Sequence, residues 1–239
     1  MAQNISGIGF PKKVPIPIDQ SCVGYWKFDE VSGTIRDYSK NMNTGTIYGT
    51  PTYGQAGKFG NAIFFDGAYY THMSFSNIKV IDSTLGAQAF SAEMWVKTLP
   101  VTGKGCCSTG TVGRLGSPLQ MMRFDQDMRT YLGWYIEGAT PVIDDWIYVA
   151  TSLTNDVWHH IIATLSTVVN GTNYDYTSKH YIDGKMIGTA SWINAEKRDI
   201  IFNDFGSMYN YYNGTIDELR LYSRELSANE VYKHYLRGR

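Results

Sequence analysis

Residues 212–231 read YNGTIDELRLYSRELSANEV. Two elements lie end to end in this stretch. "GTIDELRLYSR" alternates as a strand does, which puts Ile216, Glu218, Arg220 and Tyr222 on one expected face and Asp217, Leu219 and Leu221 on the other. "LSANEVYKHYL" then starts a short helix. Ser227 stands at the N-cap and Glu230 three residues later, so each side chain can satisfy a backbone N–H at the other's position, with Leu226 and Val231 placed as the hydrophobic staple. The neighbouring carboxylates Asp217 and Glu218 pose the functional question. They are a catalytic pair, a metal site, or two faces of one strand.

The rest of the chain works outward from that ending as short strands divided by turns. "VGYWKFDE" alternates up to Asp29. "DYSKNMNTGTIYG" reads as a loop and a short strand, and "GKFGNAIFFDGAYYTHMSF" as two strands divided at Asp66-Gly67. "FSAEMWVKTL" sets Phe90, Ala92, Met94 and Val96 against Glu93, Trp95 and Lys97. Further strands are expected in "MMRFDQD", "YLGWYIE", "HHIIATLST", "KHYIDGKMIGTAS" and "IIFNDFG", with Asp183-Gly184 as a hairpin turn. "PVTGKGCCSTGTVGRLGSP" reads as a long loop. Residues 1–21 carry Pro11, Pro15 and Pro17, which fix an extended backbone with missing donors, so this segment is expected as an N-terminal arm. Residues 22–239 show no repeat and no compositional break, and are expected to form one all-β domain with a short C-terminal helix.

Composition narrows the function. The 239 residues hold 18 Tyr, 10 Phe and 6 Trp, residues suited to pleated surfaces and to binding faces with an apolar body and a polar tip. A net charge of −1 and the lack of a basic stripe argue against nucleic acid and anionic membranes as partners. No apolar run is long enough for a membrane-inserted helix, and the first residues lack the apolar core of a secretory signal. The 3 cysteines, Cys22, Cys106 and Cys107, leave at least one thiol unpaired within the chain. Two readings stand for them: free thiols, or a bridge from Cys22 to the Cys106-Cys107 loop.

Taken in order, "GYWKFDEVSGTIRDYSKNMNTGTIYG", "GKFGNAIFFDGAYY", "FSAEMWVK", "DVWHHIIATLS", "HYIDGKMIGTAS" and "YNGTIDELRLYSRELSANEV" resemble the laminin-G-like jelly rolls of the concanavalin A-like lectin/glucanase superfamily. The resemblance runs from Val23 to Tyr235. It implies two curved antiparallel sheets of about six or seven strands packed face to face. The arm, the larger loop around Cys106 and the stretch from Met121 to Val157 depart from the pattern.

The catalytic relatives resemble a strand with glutamate, aspartate and glutamate on one face, the two reacting carboxyls about 5–5.5 Å apart. None of Glu30, Glu93, Glu137, Glu196, Glu218, Glu225 and Glu230 starts such a pattern. Strand alternation expects Asp217 and Glu218 on opposite faces, and His159 and His160 likewise, so neither pair is expected to be catalytic or to chelate together. The resemblance also implies a structural calcium ion tying the first strand to the last, with Asp217 as side-chain ligand and Asp29 and Gly67 nearby. Such an ion takes about six to eight oxygens. The alternative for Asp217 is to accept backbone donors at a strand junction. Asp37, Asn41 and Asn43 form a second oxygen-rich loop, expected as a solvated turn.

Aromatic platforms for a glycan would come from Tyr209, Tyr211 and Tyr212, with Trp134 and Trp146. The same tyrosines could instead pack on a neighbouring subunit. The reading that follows is a non-enzymatic structural or adhesive jelly-roll protein of an extracellular assembly, a virus or phage virion surface foremost. In it the N-terminal arm reaches neighbouring subunits as an added strand. The alternative is a secreted or cell-surface, calcium-braced carbohydrate-binding module.

Overall fold

The computed structural model describes residues 16–68, 70–98, 153–154, 156–205 and 212–239. It adds the backbone of four strands between 105 and 149. In chain order the strands are β1 (Cys22–Trp26), β2 (Thr46–Tyr48), β3 (Thr52–Ala56), β4 (Asn61–Asp66), β5 (His72–Ile81), β6 (Ala89–Thr98), β7 (Gly105–Thr111) and β8 (Pro118–Phe124). They continue with β9 (Thr130–Ile136), β10 (Ile143–Val149), β11 (Trp158–Asn170), β12 (Asn173–Ile182), β13 (Lys185–Ala195), β14 (Ile200–Phe205) and β15 (Asn213–Tyr222), and the helix α1 (Ala228–Gly238) follows.

These strands form two antiparallel sheets. One has eight strands in the order β13-β12-β11-β6-β15-β4-β3, with β1 also on β15; the other has seven in the order β10-β9-β8-β7-β14-β5-β2. The larger sheet exceeds the expected strand number because β15 serves two partners in succession. Its first half, Asn213–Ile216, pairs with β4, and its second half, Leu219–Tyr222, pairs with β1. The smaller sheet is filled out by β7, β8, β9 and β10. Cys106 and Cys107 therefore sit in a strand, not in the long loop that the glycine-rich sequence suggests. Cys22 is a buried free thiol whose pKa burial pushes up to about 12, and the side chains of Cys106 and Cys107 lie outside the described residues.

The inner faces meet in an aromatic core. Trp26 packs on Phe75 and Phe202, and Phe65 on Phe205 and Tyr212. In β6 the alternation holds as read: Phe90, Ala92, Met94 and Val96 face this core, while Glu93 and Trp95 face away under α1. The hairpin between β12 and β13 turns at Asp183 and Gly184 with φ of 50° and 76°, the left-handed pair that a two-residue turn requires. Ser227 accepts from the Glu230 N–H and Glu230 accepts from the Ser227 N–H, so the helix starts on its capping box. Leu226 and Val231 are buried together as the staple.

The alternation fails in β15. The register runs from Asp217↔Trp95 to Arg220↔Glu93, three steps along β15 against two along β6, which is a β-bulge. Glu218 takes the extra position at φ 55°. Ile216, Leu219 and Leu221 all point into the core, and Asp217, Arg220 and Tyr222 point outward. The expected faces for this strand are thus corrected: Ile216 joins the leucines, and Asp217 and Glu218 lie on the same side of the sheet.

Residues 16–21 of the expected arm run against this outer side. Arg220 donates to the Ile16 carbonyl at 3.1 Å, and Arg224 donates to Asp19 and Ser21 at 2.9 Å each. Residues 1–15 lie outside the described part of the chain.

Candidate functional site

Among the described residues, the outer face of the eight-stranded sheet carries most of the buried charge. Glu93 is at the centre of it. It accepts from His160 Nε2 at 2.8 Å, from the Tyr222 hydroxyl at 2.8 Å and from His234 Nδ1 of α1 at 3.1 Å. Burial pushes its carboxyl up, but the hydrogen bonds from His160 and His234 outweigh this and hold it well below the usual glutamate range. Glu218 accepts from the Tyr25 hydroxyl and from Arg220, whose guanidinium lies 4.0 Å from the Tyr25 ring centre. Above them α1 closes the face: Tyr235 stacks on Trp95, and a Cβ on Gly238 would stand 2.2 Å from the Trp95 ring. Only glycine lets the helix approach so closely.

This arrangement answers the question of the paired carboxylates. Both lie on one side of the strand, but each is committed to the fold, Glu218 as above and Asp217 to the Phe59 N–H at 2.8 Å. The two histidines have structural roles as well. His159 accepts from the Thr154 N–H on Nε2, which leaves its Nδ1–H to donate to Asp183 at 2.8 Å, and Asp183 also holds the His160 N–H. Asp37, expected as part of a solvated turn, is buried. Its carboxylate accepts from the N–H groups of Tyr25, Ser39 and Asn43, while the Asn41 and Asn43 amides both donate to the Val23 carbonyl.

Of the expected calcium ligands, the structure brings two together. Asp217 is fully buried and its Oδ1 has no hydrogen-bond partner among the described residues. Burial is the main cause pushing its carboxyl well above the usual aspartate range, and the charges of Glu218 and of nearby Asp29 add to it. Asp29 Oδ1 accepts from the Asn61 N–H at 2.8 Å, at the start of β4. Gly67 lies past the other end of that strand: Asp66 pairs with Asn213, four residues from Asp217, or about 13 Å along a strand. Among the described residues no three His, Cys, Asp or Glu side chains gather as a metal-binding group. A cation beside Asp217 would draw its other oxygens from Asp29, backbone carbonyls and water.

The expected aromatic platforms fare differently. Tyr212 is a core residue, fully buried, with its hydroxyl donating to the Thr215 carbonyl, so it offers no ring to a ligand. Tyr209 and Tyr211 lie outside the described residues. Trp134 and Trp146 fall on the paired strands β9 and β10, where Trp134 stands opposite Asp145 and Trp146 opposite Gly133. Their side chains lie outside the described residues.

A cluster that the sequence did not announce lies on the outer face of the seven-stranded sheet, where β2, β5 and β14 pair. Register places Thr46, Ser74 and Asp204 in one row across β2, β5 and β14, and Tyr48 opposite His72 two residues along. Met73 and Phe205, on the intervening row, face the core, which fixes the first two rows outward. The Tyr48 and His72 rings stack with centroids 4.8 Å apart and planes at 9°. Tyr48 is 48% exposed and Tyr70, at the entry to β5, 60%. His72 Nδ1 is 3.0 Å from the Tyr70 carbonyl, and Nε2 is 3.7 Å from Asp204 Oδ2. The strands carrying Tyr48 and His72 are separated by β3 and β4, which belong to the other sheet, so no local spacing in the sequence joins them.

The described architecture is a two-sheet jelly-roll sandwich whose eight-stranded sheet is covered on its outer face by a helix. Residues 70–232 match the family model described as the concanavalin A-like lectin/glucanases superfamily, in its laminin-G-like branch, and the chain belongs to that family. No curated protein sequence matches it significantly. Among solved structures it is similar to domain 4 of the extracellular arabinanase AbnA from Geobacillus stearothermophilus, in complex with arabinotriose. The TM-score is 0.61 at 20% identity over 90% of this chain and 98% of that one. It is also similar to the binding domain of Paraclostridial Mosquitocidal Protein 1, with TM-score 0.60, 16% identity, and 90% of this chain covering 52% of that one. The receptor-binding domain of botulinum neurotoxin type G gives TM-score 0.59 at 14% identity, with 90% of this chain covering 51% of that one. The chain thus spans nearly the whole of the first relative and about half of the other two.

Proposed function

We propose that this chain is a non-enzymatic, adhesive glycan-binding module that works outside the cell, on a cell or particle surface. It presents its ligand site on the open face of the seven-stranded sheet. The observation that carries this is the stacked Tyr48–His72 pair beside Asp204, Thr46 and Ser74. Aromatic faces receive the C–H faces of sugars, and flanking polar groups fix the hydroxyls. The carboxylates that might have served catalysis are engaged elsewhere, which supports a binding role. The arabinotriose complex of a relative with this fold supports the reading that such a sandwich can hold a sugar.

The proposal includes a structural calcium ion beside Asp217 and Asp29. It is supported by the unpartnered Asp217 oxygen and by the raised pKa of a carboxyl that a cation would keep ionised. The test of the binding role is a panel of immobilised oligosaccharides probed with the whole chain and with Tyr48→Ala. Binding should be detected, and the variant should lose it by about tenfold or more. Equal binding by the variant would move the site elsewhere, and an empty panel would end the glycan reading.

A further inference from the structure

Resting on that reading, we infer that the ligand is a chain of sugar units rather than a single sugar, and that its second subsite is a cleft beside β2, on the side away from β5. An isolated pairing outside the named strands extends the outer face there. Ile35 and Gly45 each donate a backbone N–H to the other's carbonyl, at 2.8 and 2.7 Å. Since β5 occupies one side of β2, this segment runs along the other. Carried one residue further, the antiparallel register sets Thr34 opposite Thr46. Ile35 lies in the core, and a Cβ on Gly45 would stand 2.6 Å from the Met73 sulfur. Both positions therefore face inward, and Thr34 and Thr46 face outward; both are exposed.

The polar row of Ser74 and Thr46 thus gains Thr34, and it runs into a cleft of about 470 Å³, a volume within the range of small-ligand sites. Thr34, Thr46, Thr50 and Tyr53 line the cleft beside Gly33 and Gly49, and the Tyr53 hydroxyl is held by the Gly33 carbonyl. None of the described lining residues is charged, while each threonine hydroxyl can donate or accept. That chemistry suits a hydroxyl-rich sugar better than a charged peptide. Thr46 borders the cleft and also stands two residues from Tyr48 on the same face of β2, so the stacked pair and the cleft are continuous. From Ser74 across Thr46 to Thr34 is two strand spacings, about 10 Å, which one pyranose ring does not span. Asp204 at the inner end of the row is buried beside His72, so a bound chain extends toward the cleft.

The experiment is a titration of the whole chain with linear arabinose, xylose and glucose oligomers, and with any sugar retained on the panel, each at lengths from one to four units. The trisaccharide of the bound series should bind at least about tenfold more tightly than its single sugar, with little further gain at four units. The double variant Thr34→Ala, Thr50→Ala, checked for an unchanged unfolding midpoint, should lower that ratio to about threefold or less. Equal affinity at every length would overturn the inference and leave the glycan-binding role standing. A length dependence that the double variant keeps in full would also overturn it, because the second subsite would lie outside the cleft. If no length of any series binds, the glycan-binding role fails, and this inference with it.

Discussion

The two outer faces of this sandwich are both rich in polar and aromatic side chains, yet they are used in opposite ways. On the eight-stranded sheet Glu93, His160, Tyr222, Glu218, Arg220 and Tyr25 are buried, and nearly every charge has an identified partner. On the seven-stranded sheet Tyr48 and Tyr70 stand in solvent, with the half-buried His72 ring stacked on Tyr48. The difference shows that buried charge alone is a poor guide to a site. The more strongly perturbed carboxylates are tied into the fold, and the face proposed for a ligand is the less conspicuous one.

The strongest way to break that contrast is at Glu93. Glu93→Gln removes the charge and sets an amide NH2 against donors that shared two carboxylate oxygens, leaving one acceptor oxygen for two histidines and a tyrosine, and it should cost about 3–5 kcal/mol of stability in denaturant unfolding. Glycan affinity of the folded fraction should be unchanged; a variant as stable as the parent would show that the network is not structural. The same carboxyl predicts an acid dependence. Its folded value lies below its unfolded one, so the folded protein holds fewer protons there. Its stabilisation is complete above the ordinary glutamate value of about 4.3 and is lost as pH falls toward the folded value. An unfolding midpoint that stays flat from pH 6 down through that range would contradict this.

Calcium comes next. At a concentration about a hundred times its dissociation constant the ion would add about 2.7 kcal/mol. A chelator should lower the melting temperature of the parent, and Asp217→Asn should remove that sensitivity. An unchanged melting temperature on chelation sinks the calcium site. The smallest effect belongs to the open face. Tyr48→Ala should alter stability by less than about 0.5 kcal/mol while abolishing most binding, and a large loss of stability would mean that Tyr48 belongs to the fold.

Much of the scaffold was legible in the sequence, and the reasons are local. The alternation in "FSAEMWVK", the Asp183-Gly184 turn and the Ser227–Glu230 capping box each act within a few residues, and the structure shows each as read. What escaped was non-local or carried by atypical residues. A bulge at Glu218 has no glycine to mark it, so strict alternation misassigned the faces of β15. The glycine-rich run around Cys106 resembles a loop, but pairing with β8 and β14 draws part of it into a strand. Tyr212 looked like a member of an exposed tyrosine cluster, yet it fills the space beside Phe65 and Phe205. The Tyr48–His72 stack exists only once β2 has paired with β5, after the chain has laid β3 and β4 in the other sheet.

The Arg224 side chain has a mechanical consequence. It reaches Asp19 and Ser21 on the entering segment and Glu230 on the helix, while β1 and β15 meet with Cys22 opposite Tyr222. A tension applied between the two ends of the domain would therefore load the Arg220–Ile16 contact, the packing of α1 on Trp95 and the Arg224 clamp before the β1–β15 ladder. It would then unzip the β1–β15 ladder one hydrogen bond at a time from the Cys22 end, rather than shear it as a whole. Pulling single molecules by their ends should show an early, low-force event that disappears in Arg224→Ala, and no change in that trace would show that the clamp bears no load.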